Sequence, residues 1–219
     1  SQFVNLFPKK VNTFFEPFVG GGTVFLNIIA KKYFLNDINL HLVAIHNLLI
    51  KSSRKPSVFF RAIEKTAQRY GLSRSYKEDI IPASLKRKWK KTYFARFNKE
   101  GYEKLRECVN NERLNDPLIL YILLIYGFNR MLRFNSGGKF NLPVGNVDFN
   151  KNVVSALDAY FDFVRGKRIE LTAKDFRSFF STKKFSRNDF VYFDPPYLIA
   201  ASEYNKLWDR TAESDLFAL

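Results

Sequence analysis

A chain of 219 residues, 46% of them hydrophobic, holds one domain, or one domain with an insertion, and can bury a sizeable core. Its 36 Lys and Arg against 21 Asp and Glu leave a formal charge of +15, which favours a polyanionic partner, nucleic acid first and an anionic membrane surface second. A lone cysteine, Cys108, excludes an internal disulfide, no Cys or His cluster has metal-ligand spacing, and no apolar run resembles a membrane span or a leader, so the cytoplasm is the expected compartment.

Residues 11–18 (VNTFFEPF) read as a first strand, bounded by Gly20, Gly21 and Gly22. A helix is predicted over roughly residues 23–32, then a short strand YFLND that ends at Asp37, then a helix from near Asn39 to about Lys51. Its histidines, His41 and His46, read as packing or surface residues. Strand, glycine turn, helix and strand open a parallel α/β sheet.

From Ser52 to about Phe149 basic residues dominate, with a dense positive run at SLKRKWKK, residues 84–91. Asp116 and Pro117 open a helix through LILYILLIYGF, where proline suits the first turn. In LRFNSGGKFNLPVG, residues 132–145, two short extended segments flank the turn-forming Asn135-Ser136-Gly137-Gly138 and read as a β-hairpin. A helix follows Val147 to about Val164, then RIELT (168–172) is a third strand and DFVYF (189–193) a fourth. The sheet therefore resumes after an insertion of about a hundred residues. Residues 1–51 and 150–219 form one discontinuous domain and residues 52–149 another.

Three segments can carry chemistry. EPFVGGG, Glu16 to Gly22, lies at the carboxyl end of the first strand, where open α/β sheets bind ligands; a plain strand-to-helix turn reads the same way. Asp37 ends the second strand, placed either to accept from two ribose hydroxyls or to cap the next helix. The absence of GxGxxG argues against a dinucleotide. At Asp194-Pro195-Pro196-Tyr197 two prolines remove two backbone donors, so a carboxylate and a carbonyl can both accept from one amino group. Tyr197 offers a flat face for an extruded base; a proline-rich turn with a helix cap is the alternative.

EPFVGGG and DPPY, in this order, resemble the cofactor and catalytic motifs of the amino-group DNA methyltransferases. Arg133-Phe134-Asn135, Gly138, Phe140-Asn141, Pro143 and Gly145 are similar to the RxN…GxFNxPxG hairpin of the Dam-like (alpha-group) DNA adenine-N6 methyltransferases. The resemblance covers roughly residues 12–50 and 118–210. It implies a Rossmann-like S-adenosylmethionine-dependent methyltransferase sheet with an inserted, mostly helical target-recognition domain carrying the hairpin. It implies transfer of a methyl group to adenine N6 in double-stranded DNA by base flipping, with GATC as the expected target. The enzyme would act beside a cognate restriction endonuclease or as an orphan.

By the same resemblance, Glu16, Phe18, Gly20 and Gly22 form the pocket for the methionine portion of S-adenosylmethionine, and Asp37 holds its ribose. Asp175 accepts from the cofactor's adenine amino group and Phe176 packs on that ring. Asp194, Pro195, Pro196 and Tyr197 grip the target adenine, by direct in-line transfer without a metal or a covalent enzyme intermediate. Asn129, Arg133, Asn135 and Pro143 contact DNA or shape the surface that does. Another amino acceptor (cytosine N4, an RNA adenine, a glutamine side chain) and a non-catalytic DNA-binding relic are the rival readings; the intact Asp194 and Tyr197 weigh against the relic. The family pattern also expects a GGK-containing motif ahead of the first strand and further strands after DPPY. Neither is matched in this chain, which stops 22 residues after Tyr197.

Overall fold

The computed structural model describes residues 6–196 and 208–218. From the amino terminus the strands are β1 (Val11–Glu16), β2 (Ala30–Asn36), β3 (Arg168–Thr172) and β4 (Phe190–Val191). The helices are α1 (Leu40–Ser52), α2 (Pro56–Arg69), α3 (Ala83–Lys88), α4 (Tyr93–Cys108), α5 (Pro117–Tyr126), α6 (Lys151–Val164), α7 (Phe176–Phe180) and α8 (Arg210–Phe217). Contacts divide the chain into two units, residues 1–43 with 166–219, and residues 44–165, so α6 falls in the second. Among the described residues no helix is long and apolar enough to cross a membrane.

The first unit carries a parallel four-stranded sheet in the order β3-β2-β1-β4. β1 sits inside it, and its apolar run VNTFFE suits a strand covered on both faces: Phe14 and Phe15 are buried. β1 ends at Glu16 because Pro17 has no N–H to extend the ladder. β4 is shorter than the expected DFVYF. Only Phe190 and Val191 pair with β1, and the chain leaves the ladder after the Tyr192 N–H donates to the Phe15 carbonyl at 2.9 Å. Asp189 fastens its start, accepting from the backbone N–H of Thr13 at 3.0 Å and of Ser186 at 2.8 Å.

The helix expected over residues 23–32 does not form. A single 3-10 turn, Phe25–Asn27, is all that is helical there, and β2 begins three residues earlier than expected. Pairing with β1 claims residues from Ala30 onward, and Tyr33 seals the extended link. Its fully buried ring sends the hydroxyl back to donate to the Ile28 carbonyl at 2.8 Å and to accept from the Ala30 N–H at 3.0 Å. Tertiary pairing has overridden a weak local preference.

The second unit is helical around α5. The Asp116 carboxylate accepts from the N–H groups of Leu118 (3.0 Å) and Ile119 (3.3 Å), and Pro117 fills the first turn, as the sequence predicts. Ile119, Leu120, Ile122, Leu123, Ile125 and Tyr126 are all buried, which suits a helix apolar on every side. Neighbouring helices offer narrow stripes to it: Phe59, Ile63 and Ala67 of α2, and Asn98, Tyr102 and Leu105 of α4. His46 is buried with its Nδ1 at 3.5 Å from the Tyr160 hydroxyl, a packing role.

One polar network lies inside this unit. The fully buried Asp148 accepts from the Ser73 hydroxyl (3.1 Å), the Ser75 N–H (2.7 Å) and the Ser75 hydroxyl (2.8 Å). Asn98 accepts from the Ser73 N–H at 2.8 Å, and the Tyr126 hydroxyl donates to the Ser73 carbonyl at 2.8 Å. Removing the carboxylate strands these donors away from water. Asp148→Ala is therefore expected to cost about 2–4 kcal/mol of stability. Urea unfolding followed by far-UV circular dichroism measures it, and a loss below about 0.5 kcal/mol, the level of an ordinary surface change, would contradict the network's role.

Candidate active site

The carboxyl ends of β1, β2 and β3 meet at one buried amide. Asn36 Nδ2 donates to the carbonyls of Pro17 (3.1 Å) and Lys174 (2.8 Å). Its Oδ1 accepts from the Thr172 hydroxyl (2.7 Å) and the Lys174 N–H (3.0 Å). That is the full capacity of an amide side chain. Its backbone carbonyl also accepts from the Val19 N–H at 2.8 Å. Sequence reasoning missed Asn36; a polar residue closing the apolar run Tyr33–Leu35 was the available signal.

Beside it runs the glycine turn. Gly20 and Gly22 have φ of +47° and +79°, where an L side chain is strained. The Gly20 N–H donates to Asp37 Oδ2 at 3.1 Å, and the Asn39 N–H donates to Asp37 Oδ1 at 2.9 Å. Asp37 does not cap α1. That role falls to Asn39, whose Oδ1 accepts from the N–H groups of His41 (3.0 Å) and Leu42 (3.2 Å). A carboxylate held at the end of a strand beside a glycine turn is the kind of acceptor that ribose hydroxyls require.

Glu16, at the end of β1, is only 2% exposed, and its Oε2 is buried without a hydrogen-bond partner among the described residues. Burial pushes its carboxyl up to about 8, against the lowering effect of a bond with the Phe25 backbone, and the Asp194 carboxylate adds to the rise. A buried carboxyl with an idle oxygen suits a cationic donor such as an α-ammonium group.

Phe18, Ile38, Asp175, Phe176, Pro196 and Trp208 line a cleft at the same edge of the sheet. The Phe18 ring stands edge-on to Trp208 at 5.5 Å and lies 5.7 Å from Phe176, and Phe176 lies 5.6 Å from Trp208. Asp175 caps α7 by accepting from the Arg177 N–H at 2.9 Å, and pairs with the Arg177 guanidinium at 3.1 Å. Asp194 is exposed just past β4, followed by Pro195 and Pro196. Glu16, Phe18, Gly20, Gly22, Asp37, Asp175, Phe176 and Asp194 thus all belong to the first unit; Tyr197 lies outside the described residues. An ammonium acceptor, a hydroxyl acceptor and flat aromatic walls together fit the parts of S-adenosylmethionine.

Asn129, Arg133, Asn135 and Pro143 belong to the second unit. The expected hairpin does not form strands; it is reduced to isolated antiparallel bridges, Phe134 with Phe140 and Gly127 with Val144. Much of its polar backbone is taken by α4 and the turn after it. Asn110 bonds both the N–H (2.8 Å) and the carbonyl (3.0 Å) of Phe140, and the Leu142 carbonyl accepts from the Tyr102 hydroxyl (3.0 Å) and Arg106 (3.2 Å). Residues 102, 106 and 110 recur at helical spacing, a signal the sequence does carry. Asn135 Oδ1 accepts from the N–H groups of Gly137 and Lys139 and holds the turn. Arg133 bonds Asn141 through Nε (2.9 Å to Oδ1) and Nη2 (2.8 Å to its carbonyl).

Residues 1–216 match the family model described as D12 class N6 adenine-specific DNA methyltransferase. The chain is 31% identical over 224 residues to the type II methyltransferase M.FokI of Planomicrobium okeanokoites, covering 99% of this chain and 30% of that protein. It is 30% identical to the modification methylase StsI of Streptococcus sanguinis, again over 99% of this chain and 30% of the relative. A DNA adenine methylase of Haemophilus influenzae is 28% identical over 206 residues, 91% of this chain and 59% of that protein. The chain thus spans 30% to 59% of the length of these relatives.

The Glu16 carboxyl makes the ligand-free protein's stability depend on pH. Between about pH 5 and 8 the folded state keeps a proton that the unfolded state has released, so stability is full at the acidic end and falls as pH rises. Glu16→Gln is expected to flatten that slope. Melting temperatures of both proteins across the window test it, and parallel profiles would contradict it.

Proposed function

The chain belongs to the D12 class N6 adenine-specific DNA methyltransferases, and on that premise we propose that it transfers a methyl group from S-adenosylmethionine to N6 of adenine within a fixed sequence of duplex DNA. The supporting observation is the idle, buried Glu16 oxygen beside the Gly20–Gly22 turn, with the Asp194 carboxylate close enough to perturb it. Bound there, the cofactor supplies an electrophilic methyl group on its sulfonium.

The chain's own residues bind and orient. Glu16 accepts from the methionine ammonium, Asp37 from the ribose hydroxyls and Asp175 from the cofactor's adenine amino group, with Phe176 as one wall of the ring's pocket. Asp194 and the Pro195 carbonyl accept from the amino group of the target adenine. Those two bonds favour a pyramidal nitrogen whose lone pair faces the methyl group. Asp194, an exposed carboxylate, also takes the proton that the amino group loses on methylation. The target atom lies inside the duplex stack, so the base is flipped out, and Tyr197 stacks on it at a gain of roughly 1–3 kcal/mol.

Residues 52–149 serve as the target-recognition domain, with the run at 84–91 on phosphates. The relatives M.FokI and StsI are named as a type II methyltransferase and a modification methylase and match 99% of the chain. That favours a cytoplasmic modification enzyme beside a cognate restriction endonuclease over an orphan. GATC is the first target sequence to test.

Asp194→Ala is expected to keep cofactor and DNA binding while methyl transfer falls by about 10²–10³. Tritiated-methyl transfer to duplexes with adenine, N6-methyladenine or cytosine at the target position measures it, and undiminished transfer by the variant would overturn the mechanism. Arg133→Ala is expected to relax sequence preference more than nonspecific affinity. Binding titrations against matched and single-mismatch duplexes decide between that and a uniform loss, which would leave Arg133 as a brace for Asn141 alone.

A further inference from the structure

Trp208 has no part in the roles set out above, yet it is the largest side chain in the cleft. It is 8% exposed, touches both Phe18 and Phe176, and lines the cleft together with Asp175. Among the described residues its Nε1, which is buried, has no hydrogen-bond partner. An indole N–H can only donate, and burying one unpaired costs stability. Buried tryptophans normally find an acceptor.

We propose that Trp208 is a cofactor-binding residue, whose indole N–H donates to a ring nitrogen of the cofactor's purine while its ring completes the aromatic walls with Phe18 and Phe176. This rests on the assignment of the cleft to S-adenosylmethionine. It supplies what that assignment lacks. Asp175 can only accept from the purine's amino group, and Phe18 and Phe176 offer faces without a side-chain donor. A purine carries acceptor nitrogens as well as an amino donor, so a pocket with one acceptor and one donor discriminates adenine from an arbitrary flat ring.

The test uses S-adenosylhomocysteine and its 1-deaza, 3-deaza and 7-deaza purine analogues, each lacking one ring-nitrogen acceptor, with binding read by calorimetry. Trp208→Phe is expected to bind S-adenosylhomocysteine roughly three- to tenfold more weakly. The intact protein is expected to show a similar penalty for one deaza analogue, and Trp208→Phe to show none. Equal affinities of the two proteins, or the same deaza penalty in both, would overturn the proposal. Should Trp208→Phe fail to fold, Trp89→Phe leaves Trp208 as the sole indole. Its emission must then change saturably with S-adenosylhomocysteine, and unchanged emission in a protein that binds would overturn the proposal equally. No binding by the intact protein would instead defeat the cleft's assignment, and this inference with it.

Discussion

Everything at the candidate site hangs from the Asn36 amide. Three strand ends converge on it, and no other side chain of its size could serve them. It donates to two carbonyls, of Pro17 and Lys174, while accepting from two donors, of Thr172 and Lys174. Aspartate would set a carboxylate against both carbonyls, and leucine would strand all four partners in a buried place. Pro17 precedes Phe18, and Lys174 precedes Asp175 and Phe176. One amide therefore fixes the spacing between the segments that line the cleft. A parallel sheet supplies the crevice, but the side chain at the end of β2 sets its width.

Around that clamp the structure retains groups that stability alone would remove. Among the described residues three buried side-chain atoms lack partners, and two of them, Glu16 Oε2 and Trp208 Nε1, sit around the Pro17–Phe18 segment. Glu16 carries the larger cost, since its carboxyl is buried near a second carboxylate and holds its proton to about 8. Folded proteins satisfy buried polar atoms, and local exceptions concentrate where a ligand completes the bonding. The positive φ at Gly20 and Gly22 belongs with them, a backbone shape retained because it brings N–H groups and the Asp37 carboxylate to one place.

How much of this was legible in the sequence depended on the range of the interaction. β3 matches its expected bounds, and the capped start of α5 was readable, because local periodicity and a cap residue decide them. The glycine turn and its neighbours Glu16 and Asp37 were readable as a motif. The helix expected over residues 23–32 was not there, because the Tyr33 hydroxyl and pairing with β1 act across the link. The hairpin is likewise decided at a distance: its outward-facing backbone groups, those of Phe140 and Leu142, bond Asn110 and Tyr102 rather than a further strand. Asn36 and Trp208 carried no motif at all, and their roles exist only once distant segments meet.

The second unit shows strain held in the same way. Asn129 and Arg130 both have φ near +50°, two consecutive non-glycine residues in the left-handed region. Such backbone persists only where its surroundings over-determine it. They are over-determined here: a Cβ at Gly145 would lie 2.7 Å from the Gly127 carbonyl oxygen, so the segments before and after the bridges touch backbone to backbone. The Phe128 N–H then donates to the Pro143 carbonyl at 2.9 Å and the Gly145 N–H to the Tyr126 carbonyl at 2.7 Å. The exposed Phe128, Asn129 and Arg130 are thus presented from a rigid frame anchored on the buried end of α5. A surface that must discriminate between DNA sequences, as the proposed function requires, loses affinity for every side chain it orders on contact. The left-handed backbone at Asn129 and Arg130 is ordered on folding rather than on contact, and the Pro143 carbonyl takes part in that ordering by accepting from the Phe128 N–H.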